Sequence, residues 1–198
     1  MEKAPRIESL VMQLVAGRNA GWVLAAVGLL GCIPVLNLAI FGYATECLRK
    51  FGKSGQVDFA VPQDGRAFVR ESLIVGVAAI AYAGGPWMIA RLLGSLIDSV
   101  TAYMFFPLEY LLSSLAGVIG LGLFGAAFTI YRRTGKWESL LQIRQIAELA
   151  RTMASALWLP STLIFGLAAI TFPVWGVGLA IGLFIYCFYI AEITRRLA

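Results

Sequence analysis

The stretch SLIVGVAAIAYAGGPWMIARLLGSLI, residues 72–97, decides the class of fold, because it is long and apolar enough to cross a lipid bilayer. About 20 consecutive, mainly apolar residues span the hydrocarbon core as an α-helix. A second run, MFFPLEYLLSSLAGVIGLGLFGAAFTIY at 104–131, meets the same requirement. Gly84, Gly85 and Pro86 predict a kink inside the first run. The two runs therefore predict a pair of transmembrane helices joined by a short connection.

The whole chain has the composition of a membrane protein. Of its 198 residues, 60% are hydrophobic and only 14% are charged, and its mean hydropathy is +0.82. Soluble domains carry about 25% charged residues. Because so few polar residues are available to cover a soluble core, the composition predicts an all-α integral membrane protein, built as a single domain over residues 1–198.

A third apolar region, residues 157–193, is too long for one transmembrane helix. The segment TFPVWG at 171–176 interrupts it with a proline and a glycine that suit a turn. Its tryptophan is typical of the membrane–water interface. This region therefore predicts two further spans, 155–172 and 174–194, which brings the predicted total to four.

The first apolar segment, residues 20–48, carries Pro34 and Asn37 near its middle. Backbone that turns inside a membrane is tolerated only where protein or water satisfies its polar groups. Our hypothesis is a broken or re-entrant hairpin with its tip at Cys32–Asn37, in which Asn37 caps the second half-helix. The alternative is a single kinked span, with the N-terminus on the outer side.

Basic residues alternate between the connections of the predicted spans. Residues 49–71 and 131–151 each contain five Lys or Arg, whereas 98–106 and 172–175 contain none. Basic loops stay in the cytoplasm under the positive-inside rule. The two basic connections and the C-terminus, with Arg195 and Arg196, are therefore predicted to be cytoplasmic.

The sequence KWESLLQIRQIAELARTM, residues 136–153, has the pattern of an amphipathic helix. The predicted apolar face consists of Leu140, Ile143, Ala147 and Ala150. Such a helix lies in the headgroup plane of a membrane. The alternative is a helix that binds a protein partner.

Three ionisable residues in or beside the spans are candidate functional sites, because charge in hydrocarbon is costly. They are Arg91, Asp98 and Glu109. Glu109 is placed to reach Arg91 across the predicted hairpin, where an ion pair would lock the two helices. In the structural interpretation Arg91 extends toward the interface and Asp98 lies in the connection. The alternative interpretation gives these charges a role in transport.

Glu46 and Glu192 each precede an arginine, Arg49 or Arg195, by three residues. That spacing brings two side chains together on a helix. Both residues lie near predicted cytoplasmic ends, so we expect interfacial ion pairs.

Small residues at four-residue spacing indicate close helix packing. Gly178 and Gly182 form such a pair in the last span, and Gly122 with Ala126 forms one in the span at 104–131.

The usual signatures of catalysis and cofactor binding are missing from the sequence. It has no histidine, no phosphate-binding glycine loop and no nucleophile beside a base. Cys32, Cys47 and Cys187 lie in apolar segments, where free cysteines behave as small hydrophobes. We therefore expect no enzymatic activity, no metal, no cofactor and no nucleic-acid binding, while bound lipid fits the composition.

Several short motifs resemble a prokaryotic membrane-protein family that is defined only as domain of unknown function number four thousand and thirteen. They are Ile33-Pro34, Gly42-Tyr43 followed by Leu48-Arg49, and Val61-Pro62 ahead of Phe68 and Gly76. That family carries a tryptophan soon after the loop proline, where this chain has QDG at 63–65. The resemblance implies a multi-span protein of the prokaryotic plasma membrane and brings no activity with it.

The sequence as a whole predicts a structural or accessory subunit of a larger membrane assembly. Its partners would be the bilayer and other membrane subunits, or further copies of itself. The rival prediction is a small transporter or channel that uses Arg91, Asp98 and Glu109, or the helix break at Asn37.

Overall fold

In a computed structural model of the chain, the structure describes residues 11–12, 15–16, 20–31, 37–54, 64–101, 108–170 and 175–196. Within these ranges all regular structure is helical and no strand occurs, as the sequence predicts. The α-helices are α1 (Ala20–Gly31), α2 (Asn37–Ser54), α3 (Gly65–Ala79), α4 (Gly85–Val100), α5 (Leu108–Thr134), α6 (Ile143–Thr152), α7 (Ala154–Ile170) and α8 (Trp175–Arg196). A π-helical turn, Ile80–Gly84, joins α3 to α4, and a 3-10 turn, Trp137–Leu141, precedes α6.

The chain forms two compact units. The first contains Met1–Gly76 and Gly166–Ala198, and the second contains Val77–Phe165. The prediction of a single membrane domain over residues 1–198 stays a prediction.

Among the described residues, two helical segments are long and apolar enough to cross a membrane. Gly65–Val100 contains the run predicted at 72–97, and Leu108–Thr134 contains residues 108–131 of the second predicted run. Residues 104–107 of that run lie outside the described residues. The helix α7 contains a shorter apolar stretch, Ala154–Leu167. The assignment of 155–172 and 174–194 as full spans stays a prediction, although helices α7 and α8 occupy most of those ranges.

The predicted kink near Pro86 takes the form of a π-helical turn. Proline has no amide N–H, and its ring clashes with the carbonyl four residues earlier in an α-helix. In the structure the wider turn Ile80–Gly84 comes directly before Gly85, whose N–H donates to the Ile80 carbonyl. The helical path therefore continues through the proline instead of ending there.

The ends of the two long helical segments follow from local chemistry. Asp64 caps the start of α3, because its Oδ1 accepts from the N–H groups of Arg66 at 2.9 Å and Ala67 at 3.2 Å. At the end of the second segment, Gly135 follows α5 with φ of +64°. Its N–H donates to the Tyr131 carbonyl at 2.8 Å, an arrangement that closes a helix and lets the chain turn back.

In the first unit, α8 supplies a buried aromatic core. Phe184, Tyr186 and Phe188 are almost fully buried, and both α1 and α2 pack against this helix. The rings of Tyr43 and Phe184 stack with their centroids 6.0 Å apart. Two free cysteines, Cys47 and Cys187, are buried here as expected. The third cysteine, Cys32, lies outside the described residues.

The first apolar segment, 20–48, is divided between two helices. The first helix ends at Gly31 and the second begins at Asn37 and continues past the predicted end to Ser54. Residues 32–36, which contain most of the predicted tip, lie outside the described residues. Whether the segment re-enters or crosses the membrane stays a prediction.

Candidate functional site

The helices α4 and α5 pack against each other as an antiparallel pair in the second unit, and two glycines bring their backbones close together. A Cβ atom on Gly94 would lie 2.4 Å from the Cα atom of Glu109. A Cβ atom on Gly120 would lie 2.9 Å from the carbonyl oxygens of Tyr82 and Ala83. Gly94 faces Glu109, and Gly120 faces Ala83. The number of residues from Ala83 to Gly94 equals the number from Glu109 to Gly120. Both contacts therefore belong to one antiparallel register.

Asp98 connects the end of α4 to the beginning of α5. It is fully buried, with 0% of its surface exposed. Its Oδ1 accepts from the N–H of Leu108 and its Oδ2 from the N–H of Glu109, each at 3.1 Å. The first N–H groups of a helix have no partner within that helix, and a negative charge is favoured beside them. Asp98 therefore acts as an N-cap supplied by the neighbouring helix.

This arrangement corrects the structural interpretation of Asp98 as a residue of the connection. Asp98 belongs to the last turn of α4, which ends at Val100. The sequence indicates a position in the connection for Asp98 only because an aspartate beside an apolar run is ordinarily solvated. Here the first N–H groups of α5 replace the water.

Arg91 and Glu109 form an ion pair across the hairpin, which the sequence allows beside the interpretation in which Arg91 extends toward the interface. The Nε atom of Arg91 lies 2.9 Å from the Oε1 atom of Glu109. The guanidinium also lies over the ring of Trp87, 5.4 Å from its centroid, which adds a cation–π contact. The Arg91 side chain is about half exposed, so we count this pair as a modest contribution to stability.

Together, Arg91, Asp98 and Glu109 form a polar cluster, which we call the hairpin cluster, at the end of the α4–α5 pair where the chain connects them. Each member contacts another part of the same hairpin through a salt bridge or helix-capping hydrogen bonds. The chemistry of this arrangement is that of a structural lock. Within the described ranges, no group of three or more His, Cys, Asp and Glu residues is placed to hold a metal ion.

At the other end of the pair, the segment after α5 folds back against it. Ile146 of α6 is fully buried in a cluster with Ala126 and Ala127 of α5. Partly buried side chains surround this cluster: Tyr82, Leu123, Ile130, Leu140, Leu149 and Ala150. The hydroxyl of Tyr82 donates to the carbonyl of Leu140. A side chain in the π-helical turn thus holds the 3-10 turn in place.

The predicted amphipathic helix at 136–153 needs two corrections. It consists of a 3-10 turn and the helix α6, separated at Gln142, whose ψ of 65° is not helical. The apolar face is also different, because Ile146 is its buried centre while Ile143 and Ala147 are exposed. The difference arises because Ala126 and Ala127 of α5 determine which side of α6 is buried, and the spacing within 136–153 does not contain that information.

Replacing Tyr82 by phenylalanine should loosen the segment after α5. The change removes one hydrogen bond, worth about 0.6–1 kcal/mol, and keeps the ring that packs on the cluster. Limited proteolysis of the purified protein should therefore cut residues 135–152 several-fold faster in Y82F. Tyr110→Phe is the matched control, because Tyr110 is mostly exposed. Equal cleavage of Y82F and the parent chain would contradict the role of this hydrogen bond.

The remaining predicted site residues lie in the first unit. Glu46 pairs with Arg49 at 2.9 Å, and Glu192 pairs with Arg195 at 3.0 Å, so both expected ion pairs form. Asn37 is the first residue of α2.

The spacing of small residues identifies some of the glycines that lie in close helix contacts and misses others. Gly178 and Gly182 are buried in α8, in agreement with a packing role. No atom of this chain lies within 4 Å of a Cβ built at Gly122, so packing of Gly122 against another subunit stays a prediction. The close contacts of α5 instead involve Gly117, beside the Phe165 ring, and Gly120. Neither belongs to a glycine motif that identifies its partner in the sequence.

Comparison with models of known families, with curated proteins and with solved structures gives no match to this chain. The functional interpretation therefore depends on the geometry of the hairpin cluster and on the surfaces of the helices.

Proposed function

We propose that this chain is a polytopic membrane protein without enzymatic activity that serves as a structural or accessory subunit of a larger membrane assembly. The hairpin cluster carries this proposal. Arg91, Asp98 and Glu109, which are the best candidates for a transport site, instead hold the α4–α5 hairpin together. A transport role would require these groups to exchange their partners for a substrate.

The exposed surface of the long helix supports a membrane environment. Only 17% of the most apolar window of Gly65–Val100 is buried, compared with 56% for Leu108–Thr134. The core helix of a soluble protein is mostly buried. Large apolar side chains of α4 point outward instead, namely Met88, Ile89, Leu92, Leu93, Leu96 and Val100. This surface suits lipid or a neighbouring transmembrane helix.

The proposed topology has four full spans, a broken N-terminal segment and a cytoplasmic C-terminus in a prokaryotic plasma membrane. The alternation of basic and uncharged connections supports it. Pro34 and Asn37 within the apolar segment 20–48 support the broken or re-entrant hairpin. Membership of the family of unknown function noted above is part of the same proposal.

Purification from native membranes in a mild detergent tests the proposed function. We expect other membrane proteins to purify with the chain in fixed stoichiometry. The double variant R91Q/E109Q, which removes both charges of the pair at once, should retain the same partners. A chain that purifies alone as an oligomer and conducts solute in liposomes would contradict the proposal, particularly if R91Q/E109Q abolishes the flux.

A further inference from the structure

We propose that the surface formed by the 3-10 turn and the beginning of α6 binds the headgroups of acidic phospholipids. We call it the turn surface and define it by Arg133, Lys136, Trp137, Leu141 and Ile143. The inference deepens the proposed function and depends on the proposed membrane placement of α5.

The chain turns back toward the bilayer after α5. Ile146 packs on Ala126 and Ala127, about two turns before the helix ends at Thr134. Those two turns correspond to about 11 Å along the helix axis. The reversal occurs at Gly135, where φ is +64°. The turn surface is therefore held beside the last turns of a spanning helix, at the level of the lipid headgroups.

Three large apolar side chains of this segment are exposed although others nearby are buried. Trp137 is 50% exposed, Leu141 68% and Ile143 69%. Exposing apolar area to water costs about 25 cal/mol per Å². At the boundary between headgroups and acyl chains this cost is removed, and tryptophan is enriched there. Because the surface lies along a spanning helix, the adjacent apolar medium is lipid.

The surroundings of the turn surface carry an excess of basic side chains. Residues 132–151 contain five basic and two acidic side chains. The exposed side chains of Arg133 and Lys136 take part in none of the ion pairs found among the described residues, whereas Arg144 pairs with Glu148. Each Lys or Arg near an anionic membrane surface contributes about 1 kcal/mol of attraction. Zwitterionic lipids supply no such attraction, so the excess of basic side chains favours acidic headgroups.

Quenching of tryptophan fluorescence by brominated lipids tests this inference. The full chain is reconstituted in bilayers that contain the same fraction of brominated phosphatidylglycerol or brominated phosphatidylcholine. The Trp137 signal is obtained as the difference between the parent chain and Trp137→Phe. We expect brominated phosphatidylglycerol to quench this signal at least twofold more strongly than brominated phosphatidylcholine.

The variant R133Q/K136Q should reduce the ratio of quenching by brominated phosphatidylglycerol to quenching by brominated phosphatidylcholine to about one. The matched control R66Q/R70Q removes two exposed arginines from α3 and should leave the ratio unchanged. Equal quenching by the two lipids in the parent chain would overturn the inference. A Trp137 signal that neither lipid quenches would also overturn the inference, because it would indicate that protein covers the turn surface. Both outcomes are independent of the partners recovered by purification, so they leave the proposed function standing.

Discussion

Replacing Asp98 by alanine is expected to lower the free energy of unfolding by about 2–3 kcal/mol, because two amide groups lose their acceptor. In the structure the Asp98 carboxylate accepts from the N–H groups of Leu108 and Glu109, and the residue is fully buried. No alanine atom can replace either oxygen. Unfolding of the purified protein by denaturing detergent, followed by circular dichroism, measures the effect.

Two variants make this result specific to capping. Asp98→Asn keeps one oxygen acceptor and removes the charge. We therefore expect its loss of unfolding free energy to lie between zero and that of D98A. Ser99→Ala removes an exposed hydroxyl from the adjacent position and should change stability by less than about 0.5 kcal/mol. A loss in D98A no larger than that in S99A would show that the cap does not stabilise the hairpin.

Replacing Gly94 by alanine should cost about 3 kcal/mol, the upper end for overpacking a close contact. The added methyl group would lie 2.4 Å from the Cα atom of Glu109 and 2.9 Å from its nitrogen. Both atoms belong to the backbone, so the two helices must move apart. The ion pair of Glu109 with Arg91 should weaken with them. The same unfolding measurement records the loss.

Gly122→Ala is the matched control in the facing helix. Nothing lies within 4 Å of the added methyl group, and alanine favours helices over glycine by about 1 kcal/mol. We therefore expect G122A to be as stable as the parent chain or slightly more stable. If G122A were the more damaging change, the α4–α5 register described here would be wrong.

Helix positions and local ion pairs were predictable because they depend on residues close in sequence. Long apolar runs predicted the segments at 72–97 and 104–131, and helices long enough to cross a membrane cover residues 72–97 and 108–131. Spacing of three residues predicted the pairs of Glu46 and Glu192. The antiparallel geometry of a hairpin made a pair of Arg91 with Glu109 possible, and the structure contains it.

Features that depend on the exact register of two helices were not predictable. Asp98 could be recognised as a cap only once the start of α5 at Leu108 was known. Gly94 and Gly122 look alike in sequence, and only the facing backbone of Glu109 separates them. Likewise, the buried face of α6 depends on Ala126 and Ala127, which lie on another helix.

The most direct test of the account is the accessibility of the two ends of the α4–α5 hairpin, because every proposal above requires this hairpin to cross the membrane. Single cysteines are introduced as Ser99→Cys or Lys136→Cys after the native cysteines are replaced by alanine. A membrane-impermeant maleimide is then added to intact cells. We expect S99C to be labelled in intact cells and K136C only after permeabilisation. Labelling of both positions from the same side would contradict the account.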